Sequence, residues 1–441
     1  MSITAFPTVD EITAFSTRLA QEHPDRVTVR EVGRSRAGAP LQLLTVRAAR
    51  SRHRVLVIGM PHPNEPIGMA TIMELSERLV ADLDALDATE ADWHFVPCAD
   101  PDGTRLNEGW FRGPFTREHY ARNYFRPGPE AQVEWTFPFH TDGFDVDAPL
   151  PETRALMAVI DEVRPTVLAS LHNAEMGGAY FYATADAEPL YAQLTDLCAQ
   201  QGIPLHLGEP EFPLSEVYAP AVYSVPTAQQ MYELAAALGI DPSLIVSGAS
   251  SLDYARQYTD PVGVVVEVPY WTDPRADDAT DDPHGRGRRE VVLTELDRQA
   301  ASIAKIQALY DAAAPLAPSP IADALESFLA LEAGGDTEER RTQIETDPDY
   351  ARTATVAEVF STTDEHTSWR LRLLGMLRRA LPAAAPVAED VDELLEQWSA
   401  EAATESRAEA IPIDKLVAVQ AGAILAVVAH AGAVRPVTGV S

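Results

Sequence analysis

Three short apolar runs constrain this chain more than any other feature, because each leads straight into side chains that carry a proton or a charge. Residues 55–60 run into His62-Pro63-Asn64-Glu65, residues 166–171 end on His172, and residues 262–266 deliver Glu267. Continuous apolar runs of this length suit strands covered on both faces. In open α/β sheets ligands gather at the carboxyl ends of such strands, so segments far apart in sequence can meet in one crevice. Two imidazoles and a carboxylate, with a second carboxylate beside them, form the donor set of a catalytic zinc site.

Around these runs strand and helix alternate. Residues 9–20 and 67–83 carry apolar side chains at helical spacing, and 27–32, 41–46 and 93–98 read as strands. An irregular stretch from Asp100 to about Ala148 follows, and segments of that length without regular structure are usually functional. Helices are expected at 151–163, 190–201, 229–238 and 288–313, with a strand at 180–183. The expected fold over residues 1–314 is α/β, a mixed, mostly parallel central sheet flanked by helices. Beyond Pro315 strand signals vanish, and helices at 321–331, 369–381, 391–400 and 413–433 mark residues 315–441 as a helical C-terminal domain. Residues 416–434 are apolar except for Gln420 and His430 and reach the length of a membrane span. Their richness in Ala and Gly favours a buried core helix over an anchor.

The formal charge of -33 repels phosphate backbones and anionic membranes, so nucleic acid is not an expected partner and membrane association is disfavoured. Only Cys98 and Cys198 are present, without zinc-ribbon spacing. Reduced thiols and a first segment lacking a basic, then apolar, pattern give a cytoplasmic expectation. Nothing in the sequence specifies the oligomeric state.

Each polar strand end also has a plainer reading. His62 alone is a polar loop residue, His172 a hydrogen-bonded histidine near the core, and Glu267 a strand-end carboxylate reaching solvent. Glu267 discriminates most, because an ionised carboxylate flanked by Val264, Val265, Val266 and Val268 costs several kcal/mol unless a compensating charge lies beside it. A metal-bound water supplies both a partner and a task for it, since a carboxylate there can take the water's proton.

Several ordered motifs resemble the funnelin type of zinc metallocarboxypeptidase. They run from Gly33-Arg-Ser-Arg-Ala-Gly38-Ala-Pro-Leu through His62-x-x-Glu65, Asp100-Pro-Asp-Gly103 and Leu150-Pro-Glu-Thr-Arg154 to His172 and Gly248-Ala-Ser-Ser-Leu-Asp253-Tyr254 ahead of Glu267. The resemblance covers roughly residues 5 to 310. It implies one zinc ion held by His62, Glu65 and His172, with Glu267 as general base and acid. By the same likeness Arg112 polarises the scissile carbonyl, Arg122 with Asn123 binds a terminal carboxylate, and Leu252 lines an apolar side-chain pocket. Two expected clamp groups are replaced, by Ala121 and Ile245, and Arg117, Asn123 or Arg126 are the substitutes within reach in the sequence. The implied activity is release of a C-terminal residue from a peptide or an amide-linked amino-acid conjugate. Two alternatives stand beside it: an aspartoacylase-like N-acyl amino acid amidohydrolase, and a zinc-binding or scaffolding protein that has lost turnover.

Overall fold

The computed structural model describes residues 3–184, 187–212, 215–313, 315–335 and 337–433. Its strands are β1 (Val27–Arg34), β2 (Pro40–Val46), β3 (His53–Ile58), β4 (Ala91–Val96), β5 (Phe139–Thr141), β6 (Phe144–Val146), β7 (Val167–His172), β8 (Tyr180–Ala183), β9 (Val217–Ala219), β10 (Val222–Ser224), β11 (Val262–Glu267), β12 (Trp271–Thr272) and β13 (Glu409–Ala410). Nine of them form one mixed sheet in the order β1-β2-β4-β3-β7-β11-β8-β10-β9. The run β4-β3-β7-β11 is parallel, and antiparallel pairings appear toward the edges. The three strands singled out above are therefore neighbours, β3 beside β7 beside β11, and β7 is buried along its whole length.

Alternation along the strands divides the core in two. Val55, Val57, Ala169 and Val266 face one layer, which contains helices Val9–Glu22, Ile67–Ala81 and Glu188–Gln201. Leu56, Ile58 and Leu168 face the other, packed on Leu156, Val159 and Ile160 of helix Pro151–Val163. The start of the first helix is set by Thr8, whose side chain accepts from the Glu11 N–H while Glu11 reaches back to the Thr8 N–H.

The stretch from Asp100 to Ala148 is not structureless. It holds helices Pro101–Asn107 and Arg117–Asn123, three single 3-10 turns and the β5–β6 hairpin, all too short to show a periodicity in sequence. Beyond residue 315 the described residues are helical, as expected, apart from the two-residue strand β13, and helices run longer than their patterns suggest: Ala388–Glu405 outruns 391–400 at both ends, and Val356–Ala380 begins thirteen residues before 369, capped by Thr355 with Glu358. Helix Glu338–Thr346 was not legible, because its surface is polar all round and its one buried residue is Ile344.

These C-terminal helices share the core of the sheet. Leu371, Leu374, Trp398, Leu416 and Ile424 belong to the same buried cluster as Val55 and Val266. Helix Ile413–Ala433 is long and apolar enough to cross a membrane by length and composition. It packs on helices Ile67–Ala81 and Glu188–Gln201 and on β7 and β11, as a core helix does; Val434 lies outside the described residues.

Candidate active site

Strand β3 ends at Ile58, and Met60 then takes a left-handed conformation with φ 53, which turns the chain so that His62 and Glu65 come under the ends of β7 and β11. His62, Glu65, His172 and Glu267 are all buried. Ligating atoms of His62, Glu65 and His172 lie within 4.8 Å of one another. The Nδ1 of His172 is 2.9 Å from Glu65 Oε2 and 3.6 Å from Glu267 Oε1, so four side chains from three segments converge on one point.

The donor set fits a divalent ion. His62 Nδ1 is buried without a hydrogen-bond partner among the described residues, an orphan that a metal bond would satisfy. His172 Nε2 pairs with Ser170 Oγ at 2.9 Å, which leaves Nδ1 as the nitrogen turned toward the cluster. Trp135 Nε1 lies 3.2 Å from the other nitrogen of His62 and stacks against that ring. Burial holds the His62 imidazole well below its usual pKa, with Arg126 and His172 adding to the effect, so the ring is neutral and can donate a lone pair. Burial also pushes the Glu267 carboxyl well above the usual carboxylate range, and the negative charges of Glu65 and Glu211 push it further.

Asn173 laces the centre together. Its side-chain oxygen accepts from the Ile67 N–H at 3.2 Å, its amide donates to Val268 O at 2.9 Å, and its own N–H points at Glu65 Oε2 at 3.4 Å. A cavity of about 280 Å³ opens on this centre. One wall is apolar, with Val225, Met231, Ile245, Val246 and Leu252.

Leu252 is among these lining residues, and Arg112 and Arg122 are not. Arg112 is on the surface, paired with Glu11 Oε1 at 2.5 Å and outside the cavity lining. Arg122 bonds Glu118 and Asp392, at 2.9 and 3.1 Å, and Asn123 bonds the His119 carbonyl at 2.8 Å. Both lie on helix Arg117–Asn123, whose Arg122 side faces helix Ala388–Glu405 instead of the cavity. Arg117 is likewise taken, by Asp364 and Ser368. The guanidinium that does reach the centre is Arg126, which donates to Glu65 Oε1 at 2.7 Å and lines the cavity.

The opposite wall was not foreseen. Ser361, Asp364, Glu365, Ser368 and Arg372 of helix Val356–Ala380 line the cavity, facing Glu175 and Glu211. Their only trace in sequence is polar residues recurring at helical intervals, which a solvent-exposed face also produces.

Residues 12–207 match the family model described as zinc carboxypeptidase. Over this segment the chain is similar to the zinc carboxypeptidase family. The Zinc carboxypeptidase A 1 of Anopheles gambiae is 28% identical over 177 residues, which are 36% of this chain and 40% of that protein. The match therefore spans about two fifths of the curated relative's length. Among solved structures, the carboxypeptidase A of Helicoverpa armigera aligns at 17% identity and a TM-score of 0.39, covering 61% of this chain and 66% of that one. A metallo-carboxypeptidase of Burkholderia cenocepacia aligns at 16% identity and a TM-score of 0.38, with 60% of each chain covered. The zinc ion of the family suits the cluster of His62, Glu65 and His172.

Proposed function

We propose that this chain is a zinc-dependent hydrolase of the metallocarboxypeptidase type, releasing a C-terminal residue from a peptide or from an amide-linked amino-acid conjugate. The observation that carries the reading is the buried Glu267 carboxylate, 3.6 Å from the inward nitrogen of His172 and beside the His62–Glu65–His172 cluster. When bound, zinc supplies positive charge and a water whose pKa falls to about 7.

Glu267 takes a proton from the attacking water and later returns it to the leaving amine. Burial raises its carboxyl above the usual range, which favours the carboxylate as a proton acceptor. Arg126 takes the part that the sequence motif had given to Arg112, presenting a fixed guanidinium to the developing oxyanion or to the substrate carboxylate. Leu252, Ile245 and Val246 offer the leaving residue an apolar surface, which favours an uncharged side chain. Cys98 and Cys198 are free and buried, and a reducing, cytoplasmic setting is part of this reading.

The test is release of free amino acid from a panel of blocked peptides and N-acyl amino acids. Apolar C-terminal residues are expected to be released fastest. Activity confined to acyl-group removal favours the amidohydrolase instead, and no turnover of any substrate by the zinc-loaded chain contradicts the proposal.

A further inference from the structure

Gln420 is fully buried in helix Ile413–Ala433, otherwise apolar around it, and its amide is occupied on both sides. Its nitrogen donates to the carbonyl oxygens of His172 at 2.9 Å and Val266 at 3.1 Å. Its oxygen accepts from the Thr71 hydroxyl at 2.8 Å, and Thr71 is itself fully buried. Only an NH2 group can face two carbonyls, so these three bonds fix which way the amide points. Packing alone calls for no amide here, since a buried one is costly until its hydrogen bonds are made.

The two carbonyls are not arbitrary. The register of β7 against β11 ends on the pair His172 and Glu267, and Gln420 bridges the backbone at that end of both strands. A residue 153 positions beyond Glu267 in the chain therefore ties the strand end carrying a metal ligand to the one carrying the proton acceptor. Thr71 anchors the other side of the amide to helix Ile67–Ala81, which starts two residues after Glu65. All three segments that supply the centre meet at one side chain.

We propose that Gln420 is a positioning residue for the metal centre, setting the separation of the His172 ring from the Glu267 carboxylate by clamping the ends of β7 and β11. The proposal rests on the metal-site reading above. It gives the C-terminal helix a part in the chemistry of a site that lies in the sheet.

The test uses the purified 441-residue chain with Zn2+ or Co2+ alone. Zinc affinity is measured by competition with a chromophoric chelator, and the absorption spectrum of the cobalt form reports the geometry of the ligands. Gln420→Leu keeps the volume and removes the bonds, and is expected to weaken zinc binding by roughly 10- to 100-fold, the usual range for residues that orient metal ligands, with an altered cobalt spectrum. Zinc affinity and cobalt spectrum equal to the wild type, whatever happens to the melting temperature, overturn the proposal. Should Gln420→Leu not fold, Thr71→Val frees the amide oxygen while leaving both donors, and is expected to weaken zinc binding several-fold; unchanged affinity there overturns it equally. His172→Ala separates the two levels. If it binds zinc as tightly as the wild type, the metal site itself is misassigned; if it loses zinc while Gln420→Leu does not, only the positioning role falls.

Discussion

Asn173 shows how much of the centre rests on single side chains. Its amide satisfies a buried N–H at the start of helix Ile67–Ala81 and a carbonyl just past Glu267, so it links the segments carrying Glu65 and Glu267 to its neighbour His172. Asn173→Ala strands both groups, and an unpaired buried polar group costs about 1–3 kcal/mol. The expected loss is about 2–4 kcal/mol in urea unfolding of the metal-free protein; a loss within 0.5 kcal/mol, as at an ordinary surface site, would contradict these bonds. At this scale the sequence was legible where chemistry and strand pattern coincide, at His62, His172 and Glu267. It was misleading at Arg112 and Arg122, because a motif match in an irregular stretch says nothing about which way a short helix turns. Arg126 was visible only as one of three candidates, and of the three it is the one bonded to Glu65.

Among the elements, helix Val356–Ala380 has the most to explain. It forms one wall of the cavity and also lies on helix Arg117–Asn123, at the point where Gly375 meets the backbone of Ala121. A Cβ on Gly375 would stand 1.9 Å from the Ala121 carbonyl oxygen, far inside contact distance. Arg379 reinforces the contact by donating to the carbonyls of Leu106, Asn123 and Tyr124, each at 2.7 Å. Gly375→Ala thus opposes two effects. Alanine gains about 1 kcal/mol of helix propensity, while overpacking against backbone costs typically 1–3 kcal/mol. The clash is with main chain that cannot swing aside, so net destabilisation is expected, together with lower turnover through displacement of the Arg126 loop. Thermal unfolding and activity measured side by side check this, and a more stable variant of full activity would refute the packing argument.

Over the whole molecule, the C-terminal region closes back on the sheet at several places, and one of them titrates. Asp273 lies six residues past Glu267, accepts from both Arg275 and the backbone N–H of Arg407, and sits beside the β12–β13 pairing. Burial alone would raise its carboxyl, but the Arg275 guanidinium and backbone donors from Arg275 and Arg407 hold it down at about 2. A carboxyl depressed on folding stabilises the native state above the ordinary range near 4, and that contribution fades as pH falls from there through about 2. Asp273→Asn is expected to lower the urea midpoint at pH 7 and to flatten its fall between pH 4 and 2. An acid limb as steep as that of the wild type would remove Asp273 from the account.

The helical content beyond residue 315 could be read from sequence, but not that these helices complete the sheet's core and the cavity. Periodicity reports which face of a helix is apolar, not what covers it, and the polar stripe of residues 361, 364, 365, 368 and 372 looks the same facing water or a substrate. Gln420 was visible only as a polar residue in an apolar helix.

The central claim is that Glu267 works as the proton acceptor beside a zinc ion held by His62, Glu65 and His172. Amino-acid release by the zinc-loaded Glu267→Gln variant, with zinc content measured on the same sample, tests it most directly. The account predicts one zinc per chain, as in the wild type, and a turnover lower by about 10²- to 10⁴-fold. Turnover equal to the wild type at full zinc loading would contradict it.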